Sequence, residues 1–175
     1  MNKISKGFFL GSIAIGLGIA DVLMIIGTIK AKSGDSDALG MIGLSYIPML
    51  YGAVVMLMLY HKMWASIQDG HARTTPGRAV GMLFVPFYNL YWAFQVIWGF
   101  SKDYNAYVER HGTKAARLPE ELFLANVIMC FLTWIPVIGL IILVVNYFIV
   151  LVMVTKICDA INTTTEISTQ TDAAK

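Results

Sequence analysis

The chain has 175 residues, of which 57% are hydrophobic and only 14% are charged, and its mean hydropathy is +0.67. This composition is typical of an integral membrane protein, because about a quarter of the residues in a soluble domain are charged. The net charge is +2 and the lysines and arginines are scattered, so no basic patch for nucleic acid is predicted. Two cysteines are too few for a disulfide framework.

Four apolar stretches are long enough to cross a bilayer, which takes about 20 residues in a helix. They cover residues 7–29, 39–60, 79–100 and 122–155. The polar segments between them are too short to form a soluble domain with its own core. The sequence therefore predicts an all-α, integral membrane four-helix bundle with proline-kinked spans over residues 1–162. A polar, flexible C-terminal tail is predicted at residues 163–175.

The first stretch carries small residues at alternating steps of four and three. These residues are Gly7, Gly11, Ala14 and Gly18. Small residues at this spacing allow two membrane helices to approach closely, so this face is predicted to be a helix-packing seam. Its partner is either another helix of the same chain or the same helix of a second copy.

Asp21 continues this face near the middle of the stretch, and an ionisable group there is a functional-site hypothesis by default. One interpretation is a proton or cation relay. The other is structural: Asp21 is protonated, or hydrogen-bonds to Asn126, Asn146 or a tyrosine hydroxyl, and fixes the helix register. The structural role is favoured because no second acidic or basic residue lies well inside a span. Asn89 and Gln95, like Asn126 and Asn146, are expected to form interhelical hydrogen bonds.

Prolines are predicted to kink or break the apolar helices at Pro48, Pro86 and Pro136, because proline lacks a backbone donor and clashes with the preceding turn. The segment FVPFYNL around Pro86 also matches WIPVIGL around Pro136. Paired interrupted segments are a pointer to a transporter built from repeats. Chance recurrence of a short apolar pattern is the other explanation, and it is favoured. The last stretch fits either one kinked span or a half-helix followed by a span.

The loop before the third stretch and the stretch itself carry a longer motif, PGRAVGMLFVPFYNL. Its defining positions are Pro76, Gly77, Ala79, Val80, Gly81, Pro86, Asn89 and Leu90. In these positions the chain resembles a group of uncharacterised bacterial multi-span membrane proteins, in which an asparagine follows a proline-broken span. The resemblance implies a bacterial inner-membrane protein and no particular activity.

Four crossings place both termini on the same side of the membrane. Lysines and arginines are then divided almost evenly between the two sides, so the positive-inside rule gives no bias. Lys3 and Lys6 directly precede the first span and favour a cytoplasmic N-terminus.

The sequence does not predict an enzyme, a metal site or a cofactor, because His61, His71 and His111 stand alone and no nucleophile–base constellation is present. The favoured function is a non-catalytic membrane subunit or scaffold. Its predicted partners are the lipid bilayer and either further copies in a homo-oligomer or other membrane protein subunits. The alternative is a small transporter or channel with a site at Pro86, Asn89, Asn126, Pro136 and Asp21.

Overall fold

The computed structural model describes residues 3–112, 115–135 and 138–173, with side chains described as far as Thr169. All regular structure in these ranges is helical, which confirms the predicted all-α class. Among the described residues, three helices are long and apolar enough to cross a membrane, so the predicted bundle of four spans is not confirmed. These helices are α1 (Lys6–Lys32), α2 (Ala38–Ala65) and α7 (Ile138–Ala173).

α1 and α2 pack against each other in antiparallel fashion and are joined by a short turn at residues 33–37. The Ser5 hydroxyl caps the start of α1 by accepting a hydrogen bond from the amide of Phe8. α2 continues through Pro48, so the predicted break at this proline is absent. At this level Gly16 of α1 packs closely on α2, since a Cβ on Gly16 would lie 3.1 Å from the Pro48 carbonyl oxygen.

The predicted third span, residues 79–100, is divided between separate helical pieces. They are α3 (Pro76–Gly81), a 3-10 turn (Met82–Phe84), α4 (Tyr88–Ala93), a π-helical turn (Phe94–Trp98) and α5 (Gly99–Arg110). The interruption at residues 85–87 contains Pro86. From Tyr88 onwards the helical conformation continues through the π-helical turn to Arg110.

The interruption is a γ-turn centred on Phe87. The amide of Tyr88 donates to the carbonyl of Pro86 across 2.7 Å, and Phe87 has φ +62°. This positive-φ form of the γ-turn is rare and strained. After the turn, the Trp92 indole donates to the Ala79 carbonyl across 3.0 Å, which holds α4 beside α3. The two form a short unit, the α3–α4 hairpin.

The predicted stretch 122–155 is also divided, into the short helix α6 (Glu120–Leu132) and the long helix α7. Pro136, where a break is predicted, lies outside the described residues. The Asn126 side chain donates to the Asn146 side chain across 3.0 Å, so α6 packs alongside α7. These two helices form the α6–α7 hairpin.

The buried core is concentrated at one end of the molecule. In each of the three long helices, only 22% of the most apolar stretch is buried within the chain. At the concentrated end, Trp64, Phe100, Tyr104 and Ile157 are fully buried. We call this end the headpiece, and it comprises the last turn of α2, residues 66–75, α5, residues 115–119 and the part of α7 after Lys156. The apolar surfaces of the long helices are thus left for lipid or for other proteins.

Both described chain ends lie at the headpiece. The backbone amide of Ile4 donates to the Asn162 side chain across 2.8 Å, and Lys3 pairs with Glu166 across 2.7 Å. Where a flexible tail was expected at residues 163–175, α7 remains helical to Ala173. Packing explains the difference, since Thr164 is buried against the headpiece.

Candidate functional site

Asp21 lies in an apolar groove of about 500 Å³ on the outer face of α1 and α7. The groove is lined by Gly18, Ile19, Val22, Val144, Tyr147 and Phe148, among others. Within the described part of the chain, the Asp21 carboxyl makes no hydrogen bond or ion pair. The expected bonds to Asn126, Asn146 or a tyrosine hydroxyl are therefore absent. Asp21 is half-buried and faces the outside of the helix pair.

The two asparagines satisfy each other instead. Asn126 is buried in α6 and donates to Asn146 of α7 across 3.0 Å, while the Asn146 amide lies 3.6 Å from the Cys130 sulfur. Tyr147, the tyrosine nearest Asp21 along the groove, donates its hydroxyl to the Ala14 carbonyl across 3.1 Å. The asparagine pair holds α7 against α6, and Tyr147 holds α7 against α1.

Asn89 lies apart from this set, in a second hollow of about 280 Å³ between the two short hairpins. Leu83, Leu90, Cys130, Phe131 and Trp134 also line this hollow. The rings of Phe94 and Phe131 stack at 5.7 Å on the same contact between the hairpins. The structure therefore brings the α3–α4 hairpin together with the end of α6 but places Asp21 elsewhere.

The predicted small-residue seam is used only in part. Ala14 and Gly18 lie against Tyr147, whereas a side chain added at Gly7 or Gly11 would meet open space. The close contact with α2 is made by another face of α1, where a Cβ on Gly16 would lie 3.1 Å from the Gly52 backbone. The sequence did not reveal the face of α1 that packs on α2. α1 is apolar on all sides, so periodicity alone does not single out its buried face.

Gln95 lies apart from Asp21 and from the two bonded asparagines. It lies in the π-helical turn, and its side chain accepts a hydrogen bond from Arg73 across 3.1 Å. Arg73 in turn binds the Asp103 carboxylate through its side chain and its backbone amide, with distances between 2.6 and 2.9 Å. Gln95 thus belongs to a polar cluster of the headpiece.

A second ion pair in the same loop completes this cluster, which the sequence did not predict. Arg110 donates to Asp69 across 2.8 Å, and the Asp69 side chain is only 13% exposed. Partial burial acts to raise the pKa of Asp69. Hydrogen bonds from the Arg110 guanidinium and the His71 amide outweigh it and hold the pKa below its usual value. The two pairs fix the loop 66–75 to α5.

Among the described residues, no three histidine, cysteine, aspartate or glutamate side chains come together as metal ligands would. Comparison with known protein families, with curated proteins and with solved structures finds no match for this chain. The fold therefore defines the class on its own: an all-helical protein with three apolar helices of membrane-spanning length.

Proposed function

We propose that this protein is a non-catalytic integral membrane subunit or scaffold that associates with copies of itself or with other membrane proteins. The observation that carries the proposal is the groove at Asp21, which is apolar, outward-facing and unfilled by the chain's own side chains. A carboxyl group exposed to lipid is costly, so a neighbouring protein helix is the better environment for it. Gly7 and Gly11 supply an open small-residue surface on the same helix.

The transporter or channel reading has weaker support, because its residues are dispersed. Asp21 lies in the α1–α7 groove, Asn89 lies between the short hairpins, and Asn126 is already bonded to Asn146. A relay needs polar groups within hydrogen-bond reach of one another or of shared water. A bacterial inner membrane remains the proposed location, on the strength of the motif at residues 76–90.

The mass of the purified protein in mild detergent tests the proposal. A monomer has a mass of 19.4 kDa, and we expect an assembly of at least twice that mass after correction for bound detergent. Gly11→Leu fills open space on the proposed contact surface and should shift the assembly toward monomer. Gly40→Leu, which also meets open space but lies at the start of α2, is the matched control. A monomer in several mild detergents, with no crosslinked partner in native membranes, would contradict the proposal.

Reconstitution into liposomes tests the alternative. We expect no proton or cation flux from the unmodified chain. Reproducible flux that disappears with Asp21→Asn, in a variant of unchanged thermal stability, would replace the scaffold with a carrier.

A further inference from the structure

A small hollow at the headpiece is lined by side chains from three separate parts of the chain. Its volume is about 90 Å³, roughly three times the share of one molecule in liquid water. The polar residues that line it are Tyr104 of α5, Arg117 of the segment 115–119, and Lys156, Asp159 and Thr163 of α7. The hollow therefore has room for one small polar group.

The Tyr104 hydroxyl is a buried donor at this hollow. Tyr104 is only 1% exposed, and its hydroxyl makes no hydrogen bond to another described residue. In the described part of the chain, no fully buried side-chain oxygen or nitrogen lacks a partner, so this hydroxyl must open into the hollow. Burial raises the pKa of Tyr104 to about 12. The hydroxyl therefore keeps its proton at neutral pH and can donate it to a ligand.

Two basic side chains of the hollow have unused hydrogen-bond donors. Lys156 forms no ion pair within the described ranges. The ion pair of Arg117 in these ranges is with Glu109, across 3.4 Å, and the two side chains are 66% and 73% exposed. Such exposed pairs contribute little. A guanidinium has five N–H donors and an ammonium has three, so most of these donors are available to a ligand.

The carboxylate that lines the hollow is already neutralised. Both oxygens of Asp159 accept hydrogen bonds from the Lys6 ammonium of α1, across 2.8 and 3.0 Å. The charges of Asp159 and Lys6 cancel, which leaves the charges of Arg117 and Lys156 in excess. The hollow thus favours an anion.

The backbone that carries Arg117 is fixed to α5. The Leu118 amide donates to the Asn105 side chain across 2.7 Å, and Asn105 donates back to the Leu118 carbonyl across 3.0 Å. Asn105 follows Tyr104 directly, so the two walls of the hollow are held together. A site whose backbone is already ordered loses less entropy when a ligand binds.

The hollow lies where the apolar part of α7 ends. Residues 138–155 contain no charged side chain, and Lys156 is the first charged residue after them. On α1, Lys6 directly precedes the apolar stretch, and it pairs with Asp159 at the same level. Lysine and arginine side chains near the ends of membrane helices extend to the interface. The phosphate layer of the lipid is therefore the nearest source of anions.

From these observations we propose that the hollow binds a phosphate group, held by Arg117, Lys156 and the Tyr104 hydroxyl. Three donors from three chain segments suit a group whose oxygens point in several directions, and arginine matches phosphate geometry. The phosphate belongs either to an anionic lipid headgroup or to a soluble phosphate compound, and the same contacts hold both. Basic pockets between membrane helices are known to bind anionic headgroups. The inference is independent of the proposed scaffold function.

Calorimetric titration of the full chain in a nonionic detergent tests the proposal. The probes are short-chain phosphatidylglycerol, the diacylglycerol with the same acyl chains and no phosphate, and inorganic phosphate. We expect saturable binding of phosphatidylglycerol and none of diacylglycerol. Binding of phosphatidylglycerol without binding of inorganic phosphate identifies the lipid as the source. Inorganic phosphate that binds as tightly as the lipid identifies a soluble source.

Variants assign the binding to the hollow. Arg117→Gln and Lys156→Gln should each weaken it about tenfold or more, since each removes a hydrogen bond to a charged group. Tyr104→Phe keeps the buried ring and should weaken it several-fold. Lys102→Gln is the matched control, because it removes the same charge from the headpiece, but Lys102 lies over the Trp98 ring at 3.5 Å and does not line the hollow.

Three results would overturn the proposal. They are no binding of either phosphate probe, equal binding of diacylglycerol and phosphatidylglycerol, and a loss in Lys102→Gln equal to that in Arg117→Gln. Arg117 and Lys156 are exposed, so their variants should keep the unfolding midpoint of the unmodified chain. If Tyr104→Phe does not fold, these two exposed variants decide the question. None of these results bears on the mass measurement that tests the scaffold.

Discussion

Gly139, at the start of α7, lies so close to the carbonyl oxygen of Thr133 that a Cβ at this position has no space. The contact joins the end of α6 to the first turn of α7, and the Gly139 amide also donates to the Ile135 carbonyl across 2.7 Å. Because the opposing atom belongs to the backbone, no change of rotamer relieves the clash. Gly139 therefore permits the tight turn of the α6–α7 hairpin.

Gly139→Ala is expected to destabilise the protein by about 1–3 kcal/mol, the usual cost of overpacking. The thermal unfolding midpoint in detergent measures this. Gly43→Ala is the matched control, because Gly43 lies in α2 with open space around it, and alanine favours a helix over glycine. A Gly139→Ala protein as stable as the control would show that the turn is built differently.

Gly16→Leu should be more harmful than Gly11→Leu to the stability of the single chain. The Gly16 side chain would meet the Gly52 and Pro48 backbone of α2, whereas position 11 is open. Forcing the helices apart costs about 1–3 kcal/mol. Unfolding followed at low protein concentration in detergent separates this effect from changes in assembly. Equal losses for the two variants would contradict the assigned α1–α2 contact.

The bond between Asn126 and Asn146 is open to a double-mutant cycle. Interhelical hydrogen bonds of this kind contribute about 0.6 kcal/mol on average. We expect Asn126→Leu and Asn146→Leu each to destabilise the protein, and the double variant to lose less than the sum of the two. Strict additivity would mean that the two side chains are not coupled, even though they lie 3.0 Å apart.

Acid should weaken the attachment of the loop 66–75 to α5. The pKa of Asp69 is lower in the folded protein than in the unfolded chain, so its contribution is present above its ordinary pKa. This contribution is lost as the pH falls below about 4, the ordinary value for aspartate. Asp69→Asn should therefore be less stable than the natural chain near neutral pH, and the gap should close in acid. A gap that is constant with pH would contradict the ion pair with Arg110.

Much of the headpiece helix was predictable from the sequence. One apolar stripe recurs every three or four residues along Leu90, Phe94, Ile97, Phe100, Tyr104 and Tyr107. Its last four residues are buried, whereas Leu90 is 51% exposed. The division of residues 79–100 was not predictable, because both legs of the α3–α4 hairpin are apolar and together resemble one span. The turn at Phe87 needs a positive φ that glycine or asparagine usually supplies, so a phenylalanine gives no sequence signal for it.

The candidate site, too, could be predicted from the sequence only in part. Asp21 stands out in the sequence, but its partners were predicted from residue type alone, and the asparagines bond to each other. The ion pairs of Arg73 and Arg110 join a loop to a helix more than twenty residues away along the chain. Such pairing depends on tertiary packing, which charge patterns along the sequence do not specify.

Sided labelling of single cysteines tests the central claim of the fold, that residues 76–110 leave the headpiece and return to it without crossing the membrane. In sealed, oriented vesicles, cysteines at Ser5, Ala116 and Ser36 are treated with a membrane-impermeant maleimide. If α1 and α2 cross and residues 76–110 do not, positions 5 and 116 are labelled from the same side and position 36 from the other. Labelling of position 116 from the side of position 36 would show that residues 76–110 cross the bilayer and would contradict the account.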